Sequence, residues 1–484
     1  MDLRHKRAVV FVCLFGMLLS CSFIFLQPSL AVQNEPEDFL RYDVNNVFVG
    51  TIRHLVEIRN PTLQVVPDGR LFIPLIRNET ARHYVIISNI SSSHGQPVLL
   101  NDSFENVYAY WDDVRIDAKQ NFSAEIDYIV LSSETRYVIN SSLIPNYYRD
   151  SDLYDKYTKP EPFVQSDNPE IVSKAYNLTA GLNGILSKVS RVYDFVTTYL
   201  RYAIQDEERG ALWALMNKTG DCSEYSYLFV ALCRALGIPA RVEAGFAFRS
   251  DTETTEDGHM WAEYCLENYG WVPVDPTWRL FNWMDSRHFG SQQSIPEVIP
   301  YSNYAFNTTL DLKLEDKQTV TLKPASQGPF GNGTLIQDML KAVQKVREAR
   351  TVLSIGKAFG VSLIFPSDVE EIERSLLRSR VLLQNAIERL DRSDIDGCIE
   401  KADEALRIAW ISVTKVFALW TGVLLIDVLV VLVFLRRRRM IGESKALEKT
   451  DKSVGFVWSS RRLYLLLYIQ LELRLLNTGL TWCR

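Results

Sequence analysis

The 484-residue sequence lacks the motifs that mark metal and nucleotide sites. It has six histidines and seven cysteines, none of which forms a C-x-x-C pair or an H-E-x-x-H motif. It also has no glycine-rich loop of the kind that holds phosphate. The formal net charge of −6 gives no reason to expect nucleic-acid binding. We therefore expect a folded protein with no metal, no cofactor and no nucleic-acid partner.

Three short segments carry a thiol, an imidazole and a carboxylate in chain order. Cys222 lies within the run G-D-C-S-E, His259 opens the run H-M-W-A-E, and Asp275 follows the run W-V-P-V. A cysteine, a histidine and an aspartate together can supply a nucleophile, a base and a group that orients the base. This combination predicts attack of a thiolate on a carbonyl carbon.

The sequence around Cys222 predicts the start of a helix. Asp221 is a suitable N-cap, and Glu224 completes a capping-box pattern. Gly237 then ends the helix, and Pro239 prevents its continuation. Cys222 thus occupies the first helical position, where the helix dipole and the free N–H groups favour a thiolate and can stabilise an oxyanion.

Three short β patterns follow, at residues 240–248, 259–266 and 271–274. His259 opens the middle strand, and Asp275 comes directly after the last one. If these strands pair antiparallel, the start of one lies beside the end of the other. We therefore expect Asp275 to contact His259 and to orient its ring toward Cys222.

These motifs resemble those of the transglutaminase-like superfamily, whose core is a papain-like Cys-His-Asp fold. The resemblance covers roughly residues 166–280 and is greatest to membrane-anchored prokaryotic members, in which a β domain precedes the core. It implies that Cys222 is the nucleophile, His259 the base and Asp275 the orienting acid, with no cofactor. A tryptophan assists the oxyanion in some members, and Trp213 is the nearest upstream candidate.

Several alternatives stay open at this point. The three residues can also be a buried cysteine, a strand histidine and a turn aspartate with no shared role. The fold can likewise serve a non-catalytic binding or scaffold protein, or a signalling ectodomain. Three motifs in the right order favour an enzyme that acts on peptide or amide substrates. Either water, as in a protease or amidase, or an amine, as in a transglutaminase, could accept the acyl group. Cys233 and Cys265 are expected to be buried thiols, with a disulfide between them as the alternative.

Both ends of the chain carry membrane signals. The basic residues 4–7 precede an apolar run at 8–26, which predicts a signal peptide or an uncleaved anchor. Residues 416–435 form a second apolar run, about as long as the ~20 residues that a bilayer requires. Four arginines follow at 436–439, so the positive-inside rule places the tail in the cytoplasm and the large preceding segment outside the cell.

Two further features bear on this topology. A carboxyl group, Asp427, lies inside the second run; it is either a protonated side chain that the helix tolerates or a contact for self-association or a membrane partner. The N-x-S/T sequons all precede this run and favour an extracytoplasmic glycoprotein. They occur at Asn78, Asn89, Asn101, Asn121, Asn140, Asn177, Asn217, Asn307 and Asn332.

These patterns predict an α+β protein. A β-sandwich precedes the papain-like core, which is a helix packed on an antiparallel sheet, and apolar stripes at helical spacing then predict a helical hairpin that forms a stalk. The predicted segments are a signal peptide or anchor (1–31), the β-sandwich (36–165), the transglutaminase-like core (166–290), a connecting β segment (291–334), the stalk (335–413), a transmembrane helix (416–435) and a cytoplasmic tail (436–484).

Overall fold

The computed structural model describes residues 40–79, 82–294, 303–306, 308–325, 334–391 and 394–447. The predicted signal segment and most of the predicted tail lie outside these residues, and so does the side chain of Asp427. The chain forms two compact units. The larger one consists of Asp38–Gln344 and Ser379–Leu406, and the smaller one includes residues 345–378 and 407–447.

The larger unit begins with six strands and continues with short helices and further strands. The strands are β1 (Tyr42–Arg59), β2 (Val66–Pro74), β3 (His83–Ser92), β4 (Val98–Asn101), β5 (Val107–Ile116), β6 (Asn121–Tyr137), β7 (Arg201–Tyr202), β8 (Thr219–Gly220), β9 (Ala240–Ala247), β10 (Thr252–Thr255), β11 (His259–Leu266), β12 (Gly270–Asp275), β13 (Leu280–Phe281), β14 (Trp283–Met284), β15 (His288–Gln293), β16 (Asn303–Ala305) and β17 (Lys313–Pro324). The helices are α1 (Asp152–Thr158), α2 (Pro169–Leu178), α3 (Ile185–Tyr199), α4 (Gly210–Asn217) and α5 (Cys222–Ala235), and a single 3₁₀ turn spans Ser141–Leu143.

Two antiparallel sheets share one apolar core in the N-terminal part of this unit. The strand order of the first is β10-β17-β1-β6-β14, with β3 also paired to β6, and that of the second is β16-β2-β5-β4. In β1, every second side chain from Ile52 to Ile58 is buried, as expected for a strand with one face on a core. Three strands of the first sheet, β10, β14 and β17, come from later parts of the chain.

A third antiparallel sheet, of order β13-β12-β11-β9-β15, forms the predicted core together with α5. The apolar run Leu228–Leu232 of α5 is fully buried in the same cluster as residues of β9, β11 and β12. Gly237 has φ +71, and its N–H donates to the Arg234 carbonyl at 2.8 Å, so it ends the helix as the sequence predicted. The sheet and α5 thus form the helix-on-sheet arrangement of the core.

Buried ion pairs join the N-terminal part to this third sheet. Glu263 of β11 accepts from Arg82 at 2.8 Å and from Arg241 of β9 at 2.6 Å. All three side chains are at most one-tenth exposed. Burial raises the pKa of Glu263, but the charges of Arg241 and Arg82 outweigh it and lower that pKa to about 2. Strand β11, which carries His259, is therefore held in place by the buried Glu263 carboxylate and the two arginines that balance its charge.

Four helices belong wholly or partly to the smaller unit: α6 (Thr334–Ala358), α7 (Val361–Ile364), α8 (Pro366–Asp391) and α9 (Ile395–Leu447). Within it, Val369, Ile372 and Leu376 of α8 share an apolar cluster with Val413 and Val416 of α9. One segment of α9, Asp396–Val433, is long and apolar enough to cross a membrane, by length and composition. It contains most of the predicted transmembrane run.

We expect Glu263→Gln to lower the free energy of unfolding by about 3–5 kcal/mol, because two buried guanidinium groups lose their shared anion. Denaturant unfolding of the purified chain measures this loss. The control is Asp155→Asn, which removes an exposed pair with Lys159 and should change the free energy by at most about 1 kcal/mol. Since the pKa of Glu263 is lowered, its contribution is complete above about pH 4.5 and lost as the pH falls toward about 2. Equal losses of unfolding free energy in Glu263→Gln and Asp155→Asn would contradict the prediction.

Candidate active site

Cys222 is the first residue of α5, as its sequence context predicted. The Asp221 carboxylate accepts from the Ser223 N–H at 3.1 Å, and Glu224 accepts from the Asp221 N–H at 3.1 Å, so the capping box is present. Cys222 is partly exposed. Its sulfur therefore stands at the positive end of the helix dipole, within reach of solvent.

A single hydroxyl links the first turn of α5 to the start of β11. The Ser226 Oγ lies 2.8 Å from the Cys222 carbonyl oxygen and 3.2 Å from the Met260 carbonyl oxygen. Ser226 is fully buried, so its hydroxyl has no competing water. This bridge holds the backbone of Cys222 beside the residue that follows His259.

His259 lies between Asp275 and Cys222. Its Nε2 is 2.7 Å from the Asp275 Oδ2, and Cys222 lies near enough to contribute to its pKa. Because Nε2 is engaged by the carboxylate, Nδ1 is the nitrogen left for the thiol. Burial lowers the pKa of His259, but the charge of Asp275, the hydrogen bond to Asp275 and the nearby Cys222 raise it to about 9. The ring is thus held as a cation at neutral pH.

The Asp275 carboxylate is fully buried at the end of β12. Its Oδ1 accepts from the Thr277 and Trp278 N–H groups, each at 2.8 Å, and its Oδ2 faces His259. Burial raises the pKa of Asp275, but the adjacent imidazoles hold it well below its usual range. The structure thus brings all three predicted site residues together, with Asp275 ionised.

Sequence reasoning missed a second histidine at this carboxylate. The His288 Nε2 lies 3.3 Å from the Asp275 Oδ2, and its Nδ1 lies 2.8 Å from the Asp285 Oδ1. Burial lowers the pKa of His288, whereas the charge of Asp285 and the bonds to both carboxylates raise it to about 9. The only hint in the sequence is the spacing of Asp285 and His288, which is too common to indicate a site.

Aromatic side chains surround the two imidazoles. The ring centroid of His259 lies 5.1 Å from that of Trp278 and 6.1 Å from that of Trp261. His288 meets the same two rings edge-on, at 4.8 and 5.2 Å. Trp213, the predicted oxyanion candidate, lies on α4, with its ring centroid 5.9 Å from the Arg209 guanidinium. Its oxyanion role stays a prediction.

Tyr202, at the end of β7, is a further neighbour of the thiol that the sequence did not indicate. Burial raises the pKa of its phenol, and the charges of Cys222 and Asp221 raise it further. About half of the surface of Tyr202 is exposed to solvent.

The atoms of His259, Asp275 and His288 that could bind a metal all lie within 4.8 Å of one another, which is close enough for the three residues to hold one ion. Their contacts, at 2.7 and 3.3 Å, are hydrogen-bond lengths between imidazole nitrogens and a carboxylate oxygen. Protons fit between atoms at these separations, and we therefore interpret the cluster as a hydrogen-bonded chain.

The other cysteines in the described part of the chain differ from Cys222. Cys233, Cys265 and Cys398 are free thiols and buried. Burial raises the pKa of Cys398 to about 11 and that of Cys265 to about 12, and it raises the pKa of Cys233 still further. Among these four, Cys222 alone is partly exposed, and it lies beside an imidazole.

Helix α5 and the third sheet together form a domain in which a cysteine, a histidine and an aspartate meet. This is the class of protein that the fold and the site define. Residues 172–276 match the family model of the transglutaminase-like superfamily. This part of the chain is a transglutaminase-like domain, and the prediction made from its motifs is confirmed. The match covers the region from α2 to the residue that follows Asp275.

A curated relative and two solved structures are similar to parts of the chain. A protein-glutamine gamma-glutamyltransferase of Pseudomonas aeruginosa is 34% identical over 70 residues, which are 13% of this chain and 10% of the relative. The chain thus matches about a tenth of that protein's length. A proposed cysteine protease from Cytophaga hutchinsonii has a TM-score of 0.45 at 16% identity, over 60% of this chain and 94% of that chain. The periplasmic domain of TgpA from P. aeruginosa has a TM-score of 0.28 at 16% identity, over 50% of this chain and 89% of that chain. Both scores lie below 0.5, and neither likeness defines an activity.

We expect iodoacetamide near pH 6 to label Cys222 much faster than Cys233, Cys265 or Cys398, because the His259 cation and the helix start favour its thiolate. His259→Ala should slow this labelling by roughly tenfold or more. Cys222 should label faster than a free thiol at lower pH. This difference in labelling rate should disappear as the pH rises through about 9, where His259 loses its proton. Peptide mass spectrometry of the full chain reports each site, with Cys398 as the internal reference. Equal rates at all four cysteines would contradict the arrangement.

Proposed function

We propose that this protein is a membrane-anchored, extracytoplasmic enzyme that transfers acyl groups from amide or peptide substrates through Cys222, His259 and Asp275. The observation that carries the proposal is the placement of His259, 2.7 Å from a buried carboxylate and beside a thiol at the start of a helix. The transglutaminase-like domain supports thiol-dependent acyl transfer as the class of chemistry.

In the first half of the reaction, the Cys222 thiolate attacks the carbonyl carbon of the substrate amide, and a C–S bond forms. Negative charge develops on the carbonyl oxygen, where the N–H groups at the start of α5 can stabilise it. The C–N bond then breaks, and His259 gives its proton to the leaving amine or ammonia. The product is a thioester on Cys222.

In the second half, His259 takes a proton from the acceptor as it attacks the thioester carbon. The C–S bond breaks, and Cys222 returns to its thiolate form beside the imidazolium. With water as acceptor the enzyme is a protease or amidase, and with a primary amine it forms a new amide bond. The Asp275 carboxylate, fixed by two backbone N–H groups, keeps the His259 ring in one orientation throughout.

The curated relative is named a protein-glutamine gamma-glutamyltransferase, and this name supports a glutamine side-chain amide as the first substrate to test. We expect the full chain, given a glutamine-containing peptide and a primary amine, to release ammonia and to incorporate the amine or water. Cys222→Ala should abolish both products without unfolding, and Cys398→Ala should leave them unchanged. Asp275→Asn should reduce the rate less than Cys222→Ala, because it disturbs the orientation of His259 and leaves the nucleophile in place.

Mass spectrometry of the peptide separates amine incorporation from hydrolysis. Amine incorporation would assign the protein to crosslinking, and ammonia or peptide release alone would assign it to hydrolysis. If no product forms across a broad peptide panel and Cys222 labels no faster than the buried thiols, the domain is a non-catalytic binding or scaffold module.

The proposed location is supported by the apolar segment of α9, by the arginines after it and by the sequons before it. We expect protease added outside intact cells to degrade residues 40–411 and to spare an epitope placed after Arg439. An intracellular control protein should stay intact in the same experiment. Protection of the transglutaminase-like domain from external protease would contradict the proposed orientation.

A further inference from the structure

We infer that His288 is a positioning residue for the proposed reaction: clamped between Asp285 and Asp275, it fixes the Asp275 carboxylate in the orientation that His259 requires. The inference rests on the proposed function, in which His259 and Cys222 act on substrate. It extends the Cys222–His259–Asp275 chain by two residues, neither of which touches the sulfur.

The geometry determines the protonation of His288. Both of its ring nitrogens face carboxylate oxygens, Nε2 at 3.3 Å from Asp275 and Nδ1 at 2.8 Å from Asp285. An ionised carboxylate can only accept a hydrogen bond, so each ring nitrogen must carry a proton. His288 is therefore an imidazolium, and charges alternate along the chain from Asp285 through His288 and Asp275 to His259.

Asp285 is itself held in place. Its Oδ1 accepts from the Arg287 N–H at 2.9 Å, and its Oδ2 lies 3.6 Å from the Arg287 guanidinium. The Asp285 side chain is 15% exposed, whereas those of His288 and Asp275 are fully buried. The chain of charges thus has a partly solvated anchor at Asp285, and the partly exposed Cys222 lies beyond its other end at His259.

Strand register brings His288 beside His259. In the third sheet, His259 of β11 is opposite Gly245 of β9, and Gly245 is opposite Gly290 of β15. A Cβ on Gly245 would collide with the Phe289 carbonyl oxygen, so a glycine is needed for this close approach. The two imidazole centroids are 5.6 Å apart. Both rings therefore reach the same carboxylate from different strands.

Water cannot replace His288 at this position. Trp261 and Trp278 pack against both imidazoles, and the Asp275 side chain has no exposed surface. If the N–H of His288 is removed, the Asp275 Oδ2 keeps His259 as its single partner, while Oδ1 keeps its two backbone N–H groups. The carboxylate is then held more loosely on the side that faces His259. A misoriented Asp275 no longer fixes the ring of His259, which then supports the thiolate less well.

The test measures iodoacetamide labelling of Cys222 near pH 7 in the full chain, with circular dichroism to confirm folding. His288→Phe keeps a ring and removes both N–H donors, and we expect labelling to fall about tenfold. His288→Gln restores one donor toward Asp275, so we expect it to label about threefold slower than the unaltered chain. Asp285→Asn keeps an oxygen that can accept from His288 but removes the negative charge that holds it, and it should also slow labelling by about threefold.

The matched control is His54→Phe. His54 is another buried histidine, with its Nε2 2.8 Å from the Asp316 Oδ1, but it lies on β1 and packs against Phe246. Its replacement should leave Cys222 labelling unchanged. A loss of labelling common to His54→Phe and His288→Phe would show a general effect of removing a buried histidine, and it would overturn the inference.

The inference is also wrong if His288→Phe labels as fast as the unaltered chain, or if a folded His288→Gln is as slow as a folded His288→Phe. If His288→Phe does not fold, Asp285→Asn decides: a loss of about threefold supports the inference, and an unchanged rate overturns it. The proposed function fails separately, when Cys222 of the unaltered chain labels no faster than Cys398.

Discussion

The buried negative charge of Asp275 is the constraint on which the rest of the site depends. An unpaired carboxylate in such a position is strongly destabilising, so its environment must supply donors. Two backbone N–H groups from the turn after β12 and two imidazoles from other strands do so. The turn, the start of β11 and the start of β15 must all converge on one carboxylate. The position of His259, and hence the state of Cys222, follows from that convergence.

A second buried charge, Glu263, has the same role further along the strand that carries His259. Its partners come from β9 and from the connection between β2 and β3, so it links the third sheet to the N-terminal part of the chain. The N-terminal part of the chain therefore supports β11.

The features that could be predicted from the sequence are local ones. The cap at Asp221, the end of α5 at Gly237 and the adjacency of His259 and Asp275 depend on neighbouring residues or on two strands joined by a short turn. His288 could not be predicted, because its position depends on the pairing of β15 with β9 across a long sequence separation. The same holds for β10, β14 and β17, whose places in the first sheet are set by pairing with distant strands. Hydrophobic periodicity shows that a strand exists, but it carries no information about its partner.

The pairing of β1 with β17 has a consequence for biosynthesis. β1 begins at Tyr42, and its antiparallel partner ends at Pro324, with register contacts along twelve consecutive residue pairs from Phe48 to Arg59. During synthesis or export, the chain emerges from its N-terminus, so one edge of β1 has open N–H and C=O groups until the transglutaminase-like domain has followed. An open edge of this kind is a template for pairing with other chains. Completion of the first sheet is therefore coupled to delivery of the whole domain, and a nascent chain that stops before Lys313 leaves that edge uncovered.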